Sequence, residues 1–101
     1  MFTIVETELF KRDAADIWSD EERIEFCVWL AANPEAGDVI PSSGGCRKVR
    51  WTRSGMGKRG GTRVIYFNRL DEGVIWLLVI YAKIVRGNIP ASILKQIRDA
   101  L

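Results

Sequence analysis

Residues 62–82 read TRVIYFNRLDEGVIWLLVIYA, two β-branched and aromatic runs separated by a reversal. Val, Ile, Tyr, Phe and Trp suit the pleated, half-buried surface of a sheet, so both runs are predicted to be strands. Asn68 to Gly73, with Asp71, Glu72 and Gly73 in succession, supplies a hairpin turn. Strict alternation in the second run puts Ile75, Leu77, Val79 and Tyr81 on one face and Val74, Trp76, Leu78 and Ile80 on the other. Both faces are apolar, which predicts the central strand of a sheet covered on each side. Upstream, Cys46, Val49 and Trp51 form a broken apolar pattern among cations, a third strand joined to Thr62 by the glycine-rich link 53–61. Consecutive strands with short connections pair as antiparallel neighbours.

The N-terminal third supplies the cover for such a sheet. Phe2–Val5 is a short opening strand, after which Thr7 caps a helix with Phe10, Ala14 and Ile17 or Trp18 on one stripe. Ser19 and Glu22 have the spacing of a capping box for a second helix running to about Ala32. Its apolar side is expected to be Ile24, Cys27, Val28 and Ala31, with Glu21, Glu22 and Glu25 opposite; Asn33-Pro34 and Gly37 stop it. At the other end Pro90 opens a short helix carrying Ile93, Leu94, Ile97 and Leu101. The expected fold is α+β: a small antiparallel sheet, an N-terminal α-hairpin packed on it and a short C-terminal helix, in one domain spanning residues 1–101.

Charge is segregated along the chain. Residues 1–38 hold ten acidic and three basic side chains, net −7. Between Asp38 and Asp71 stand Arg47, Lys48, Arg50, Arg53, Lys58, Arg59, Arg63 and Arg69 with no carboxylate among them. A block of that sign, interleaved with Trp51, Tyr66 and Phe67, suits a polyanion held by its phosphates; the bland alternative is a solvated basic loop. No histidine is present, so the commonest general base near neutral pH is missing, and no carboxylate cluster suggests a metal site. Cys27 and Cys46 match neither a redox pair nor a zinc knuckle and are expected to be two free thiols. No signal peptide or membrane span is indicated, and no cofactor; a cytoplasmic protein is expected.

Two constellations could carry chemistry. Gly57-Lys58-Arg59-Gly60-Gly61 lacks the spacing of a P-loop and precedes a strand rather than a helix. It is a phosphate-backbone clamp at best, or simply a hairpin tip. Arg47, Lys48, Arg50, Arg63 and Lys83 sit on or beside strands, which hold side chains more firmly than loops do. Alternation places Arg47 and Val49 opposite to Lys48 and Arg50, so these cations cannot all share one face. Tyr66 near Arg47 or Arg63 could stack a base, and Tyr81 and Lys83 project together if the strand persists. Such a set could cleave RNA through attack of a 2′-hydroxyl on the adjacent phosphate: arginines stabilise the phosphoryl charge while a lysine of lowered pKa or a polarised tyrosine moves protons. A non-catalytic module binding RNA or an acidic protein would use the same residues.

These stretches resemble the RelE/HigB-like toxin family of bacterial type II toxin–antitoxin systems. The likeness is carried by TELF at 7–10, LAANPEAGDVIP at 30–41, GGCRKVRW at 44–51, GKRGGTRVIY at 57–66 and LVIYAK at 78–83. It implies the RelE-type fold, metal-independent endoribonuclease activity on messenger RNA in the ribosomal A site, and neutralisation by a cognate antitoxin, often an Xre-type helix-turn-helix protein. Carried over by position, it implies Arg50, Arg63, Tyr81 and Lys83 as the catalytic set. Arg47, Lys48 and Tyr66 are implied as RNA contacts, to which the basic block itself adds Arg53, Lys58 and Arg59 as expected ones. The segment IVRGNIPAS at 84–92 departs from relatives whose last helix opens with Leu-Ser and a glutamate, so the terminal helix and the base of the groove are expected to differ.

Overall fold

The computed structural model describes residues 2–51, 61–82 and 89–101. Its elements are β1 (Thr3–Glu6), α1 (Glu8–Ile17), α2 (Asp20–Ala32), β2 (Asp38–Val39), β3 (Arg47–Trp51), β4 (Thr62–Arg69), β5 (Val74–Ala82) and α3 (Ala91–Asp99), with a 3₁₀ turn at Leu70–Glu72 between β4 and β5. The five strands form one sheet in the order β1-β5-β4-β3-β2. All neighbours are antiparallel except β1, which runs parallel to β5 with Thr3 beside Val74. The sheet is therefore mixed, and its middle strand is β4. β5 is an interior strand between β4 and β1, covered on both faces as its composition predicted, though not the centre. The reversal that joins β4 to β5 depends on Gly73, whose φ of 73° lies in the left-handed region that costs glycine nothing.

Local signals set both helix starts. The Thr7 hydroxyl accepts from the Phe10 amide at 3.1 Å, capping α1. Ser19 and Glu22 form the complete reciprocal capping box of α2. The buried side of α2, however, is Phe26, Leu30 and Ala31, with Cys27 and Trp29 half-buried. Ile24 and Val28, expected inside, are each 56% exposed. Aromatic packing turned the helix. Phe26 sits between Trp18 at 5.1 Å and Trp51 at 5.3 Å, and Trp29 lies 4.9 Å from Trp51, a larger buried area than Ile24 and Val28 offer.

The sheet separates two cores. On the α1–α2 side, Phe10, Ala14, Trp18, Phe26 and Leu30 pack on Val49, Val64, Tyr66, Ile75, Leu77 and Ile80. On the other side, Leu94 of α3 packs with Cys46, Ile65, Leu78, Val79 and Tyr81. These lists contradict strict alternation in β5. The register explains why: Ile65 pairs with Val79 but Tyr66 pairs with Leu77, so Leu78 is an additional residue in β5, a β-bulge. Beyond it every side chain changes face. Val79 and Tyr81 join Trp76 and Leu78 on the α3 side, and Ile80 joins Ile75 and Leu77 under α1 and α2.

Both cysteines are free thiols. Burial pushes the Cys27 thiol up to about 11, with Glu6 adding to the shift and Arg23 opposing it, so it stays protonated and unreactive at neutral pH.

Phe26→Ala, which empties the aromatic centre, should lower unfolding free energy by about 3–5 kcal/mol, whereas Ile24→Ala should change it by about 0.5 kcal/mol or less. Urea unfolding of the two variants checks this. Equal losses would return Ile24 to the core.

Candidate nucleic-acid interface

Three antiparallel strands in register assemble the cationic residues. Arg50 of β3 pairs with Arg63 of β4, and Arg63 pairs with Tyr81 of β5. The next row on the same face is Lys48, Ile65 and Val79. Neighbouring strands are about 4.8 Å apart and like-facing residues along a strand about 6.8 Å apart, so Arg50, Arg63, Lys48 and Tyr81 share a patch about 10 Å across. Arg50 is exposed, Lys48 and Arg63 are half-buried, and Tyr81 is 5% exposed with its ring in the α3-side core.

Arg50 and Arg63 occupy facing positions of one register, and a phosphate can accept charge-assisted hydrogen bonds from more than one such planar fork. Lys48 differs in having Asp38 of β2 opposite it in the register. Among the described residues no group of His, Cys, Asp and Glu side chains is arranged to hold a metal ion.

Arg47 and Tyr66, expected to touch RNA, face the other way. Arg47 donates to the Gly37 carbonyl at 2.7 Å and the Glu35 carbonyl at 3.5 Å. Tyr66 is fully buried; its hydroxyl accepts from the Gly37 amide at 2.8 Å and donates to the Pro34 carbonyl at 2.9 Å. Asn68 donates to the same Pro34 carbonyl at 2.8 Å. Burial pushes the Tyr66 hydroxyl pKa up, against the lowering effects of its bond to Gly37 and of Arg47. A β-carbon on Gly37 would stand 2.8 Å from the Lys48 carbonyl oxygen, so glycine alone fits where the connection meets the sheet. Arg47, Tyr66 and Asn68 thus tie the α2–β2 connection to β3 and β4. Tyr66 has no face on which a base could stack. Arg53, Lys58, Arg59 and Lys83 lie outside the described residues.

The cationic face extends further than the sequence pattern indicated. At its other end the Phe67 ring carries Arg69 at 5.3 Å and Arg98 of α3 at 5.2 Å, both over the ring. Gly44, in the loop before β3, leaves room for Arg98, since a β-carbon there would lie 3.2 Å from its Nε. Arg98 is distant in sequence from the basic block, and only its place in the last turn of an amphipathic helix hinted at a role.

No protein-family model matches the chain. Among solved structures, a double arginine-to-alanine mutant of E. coli toxin RelE in the free state superimposes with a TM-score of 0.60, covering 81% of this chain and 83% of that one at 16% identity. The chain has a RelE-like fold. At that identity the likeness concerns the fold: the mixed sheet, the N-terminal helical pair and the short C-terminal helix that define the RelE-like arrangement are all present here.

The two faces should separate by mutation. Arg50→Ala and Arg63→Ala should each lower the slope of log K against log salt for a single-stranded RNA oligonucleotide by about 0.7–1. Arg47→Ala should leave that slope unaltered, and Tyr66→Phe should cost about 1–2 kcal/mol of stability without changing RNA affinity. Fluorescence titration between low and moderate salt, with urea unfolding alongside, tests the set. A slope unmoved by Arg50→Ala and Arg63→Ala would place the RNA elsewhere.

Proposed function

We propose that the chain is the toxin of a type II toxin–antitoxin system, a ribosome-dependent endoribonuclease that cuts messenger RNA in the A site. The observation that carries this reading is the row Arg50, Arg63, Tyr81 across three strands on the α3 side of a RelE-like fold. The patch has the size and sign to hold one scissile phosphate, and Lys48 and Arg69 on the same side extend it along a strand of RNA, whereas Arg98 is paired with Asp99.

In the proposed reaction the 2′-oxygen attacks the adjacent phosphorus and loses its proton to a base. The bond to the 5′-oxygen breaks as that oxygen gains a proton, leaving a 2′,3′-cyclic phosphate and a 5′-hydroxyl end. Arg63, with Arg50 opposite, takes up the charge that grows on the non-bridging oxygens. Lys83 and Tyr81 are the candidates for proton transfer. The burial of Tyr81 favours Lys83 for the mobile proton. Lys58 and Arg59 are assigned to binding. The partners are the ribosome and a cognate antitoxin, of the Xre helix-turn-helix type by resemblance. No helix among the described residues is long and apolar enough to cross a membrane.

Single-turnover cleavage on ribosomes programmed with messenger RNA, between about pH 6 and pH 9, tests the assignment. Arg63→Ala should slow the chemical step by about 10²–10³-fold, as loss of one oxyanion donor does. Lys83→Ala should slow it with an altered pH profile, and Lys83→Arg should keep the charge but not the shuttle. Absence of any cleavage by the pure wild-type protein, with RNA still bound, would leave a binding module instead.

A further inference from the structure

We infer that Thr7 is a positioning residue for the Arg63–Tyr81 pair: its hydroxyl holds the β5 bulge that turns Tyr81 onto the cationic face. Without an additional residue in β5, Tyr81 would fall on the same side as Ile75 and Leu77, under α1 and α2 and away from Arg63. Leu78 is that additional residue, and it is the residue Thr7 touches. The Thr7 Oγ1 donates to the Leu78 carbonyl at 3.2 Å, and the Thr7 amide donates to the Leu77 carbonyl at 3.1 Å.

One hydroxyl has one proton and two acceptor lone pairs. At Thr7 both capacities are used. The oxygen accepts from the Phe10 amide as the α1 cap, and the proton goes to the bulge. A bulge leaves backbone groups outside the regular ladder, and an unbonded one competes poorly with a register slip that restores pairing. Here the slip would move Val79, Ile80 and Tyr81 to opposite faces, exchanging the α3-side core and the cationic row together. The cap of α1 and the register of β5 are thus fixed by one side chain, and α1 packs directly on β5. The link to activity rests on the proposed use of this face, while the link to geometry does not.

Three substitutions separate capping from bulge holding. Thr7→Ser keeps both functions. Thr7→Asp keeps a strong N-cap acceptor but has no proton for the Leu78 carbonyl. Thr7→Val loses both. Tyr66 and Tyr81 are the two tyrosines of the chain, so 3-fluorotyrosine labelling gives two ¹⁹F resonances, assigned by Tyr81→Phe. The readout is the shift that Arg63→Ala imposes on the Tyr81 resonance in each Thr7 background. Wild type and Thr7→Ser should give the same shift; in Thr7→Asp it should fall to less than about half while helical circular dichroism is retained. An undiminished shift in Thr7→Asp would overturn the inference. Should Thr7→Asp not fold, Thr7→Val decides, with Ser19→Ala as a control that removes a cap from α2 without touching β5. Retention of the full shift in Thr7→Val, or an equal loss in Ser19→Ala, would also overturn it. On programmed ribosomes, Thr7→Asp should cleave about 10- to 100-fold more slowly than Thr7→Ser, the scale expected for misplacing a group by about 1 Å. Wild-type protein that does not cleave would refute the nuclease reading and leave the ¹⁹F result standing.

Discussion

Side chains alternate along a strand, so the face that each residue of β5 reaches is decided by counting from the bulge at Leu78. That single irregularity lets one apolar run serve two cores. Ile75, Leu77 and Ile80 fill the layer beneath α1 and α2, while Trp76, Leu78, Val79 and Tyr81 fill the layer beneath α3. A regular strand of the same composition would bury as much, but it would deliver Ile80 to the α3 side and Tyr81 to the helical hairpin. The apolar content of the run therefore settles that β5 is buried, and the bulge settles what its far end presents to Arg63. Stability and the geometry of the row are coupled here because the core residue Leu78 and Tyr81, the member of the row opposite Arg63, share one strand.

The two faces of the sheet carry different loads. The α1–α2 side holds the larger aromatic cluster and the Tyr66–Gly37–Pro34 ties. The α3 side receives one short helix whose fully buried residue is Leu94, and its strand ends carry arginines. Arg50 and Arg63 stand at facing positions of β3 and β4 on this side, backed across the sheet by the larger apolar core.

Much of this was legible in the sequence, and the portion that was not has identifiable causes. Thr7, Ser19 and Glu22 announced both helix starts, since capping is a local matter of one side chain and the next turn of backbone. The strand runs at 62–67 and 74–81 were legible because β-branched and aromatic residues sit densely in them. The parallel β1 could be read as a strand but not given a partner, because nothing local records an association across seventy residues. β2 is two residues long, below the length at which alternation carries information. The inner side of α2 was misjudged because Ile24 and Val28 fit a helical period as well as Phe26 and Leu30 do; only the positions of Trp18 and Trp51 break the tie. The bulge left no mark in the run VIWLLVIYA, whose neighbours are all apolar, so a change of face within it does not alter the pattern.

The candidate site was legible in kind but not in detail, for a related reason. Composition marks a basic strand, and alternation divides it into two faces, but neither says which face the larger core will claim. Once α1 and α2 claim the side of Val49 and Val64, Arg47 must run along the same side, and a long cation there finds carbonyl oxygens in the α2–β2 connection. Lys48 and Arg50 are left to the side that α3 only partly covers. Residues 47 and 50 are both arginine, three positions apart, and their surroundings differ as core edge differs from surface. The face given to the larger core therefore decides which arginines brace the fold and which stand on the opposite side of the sheet.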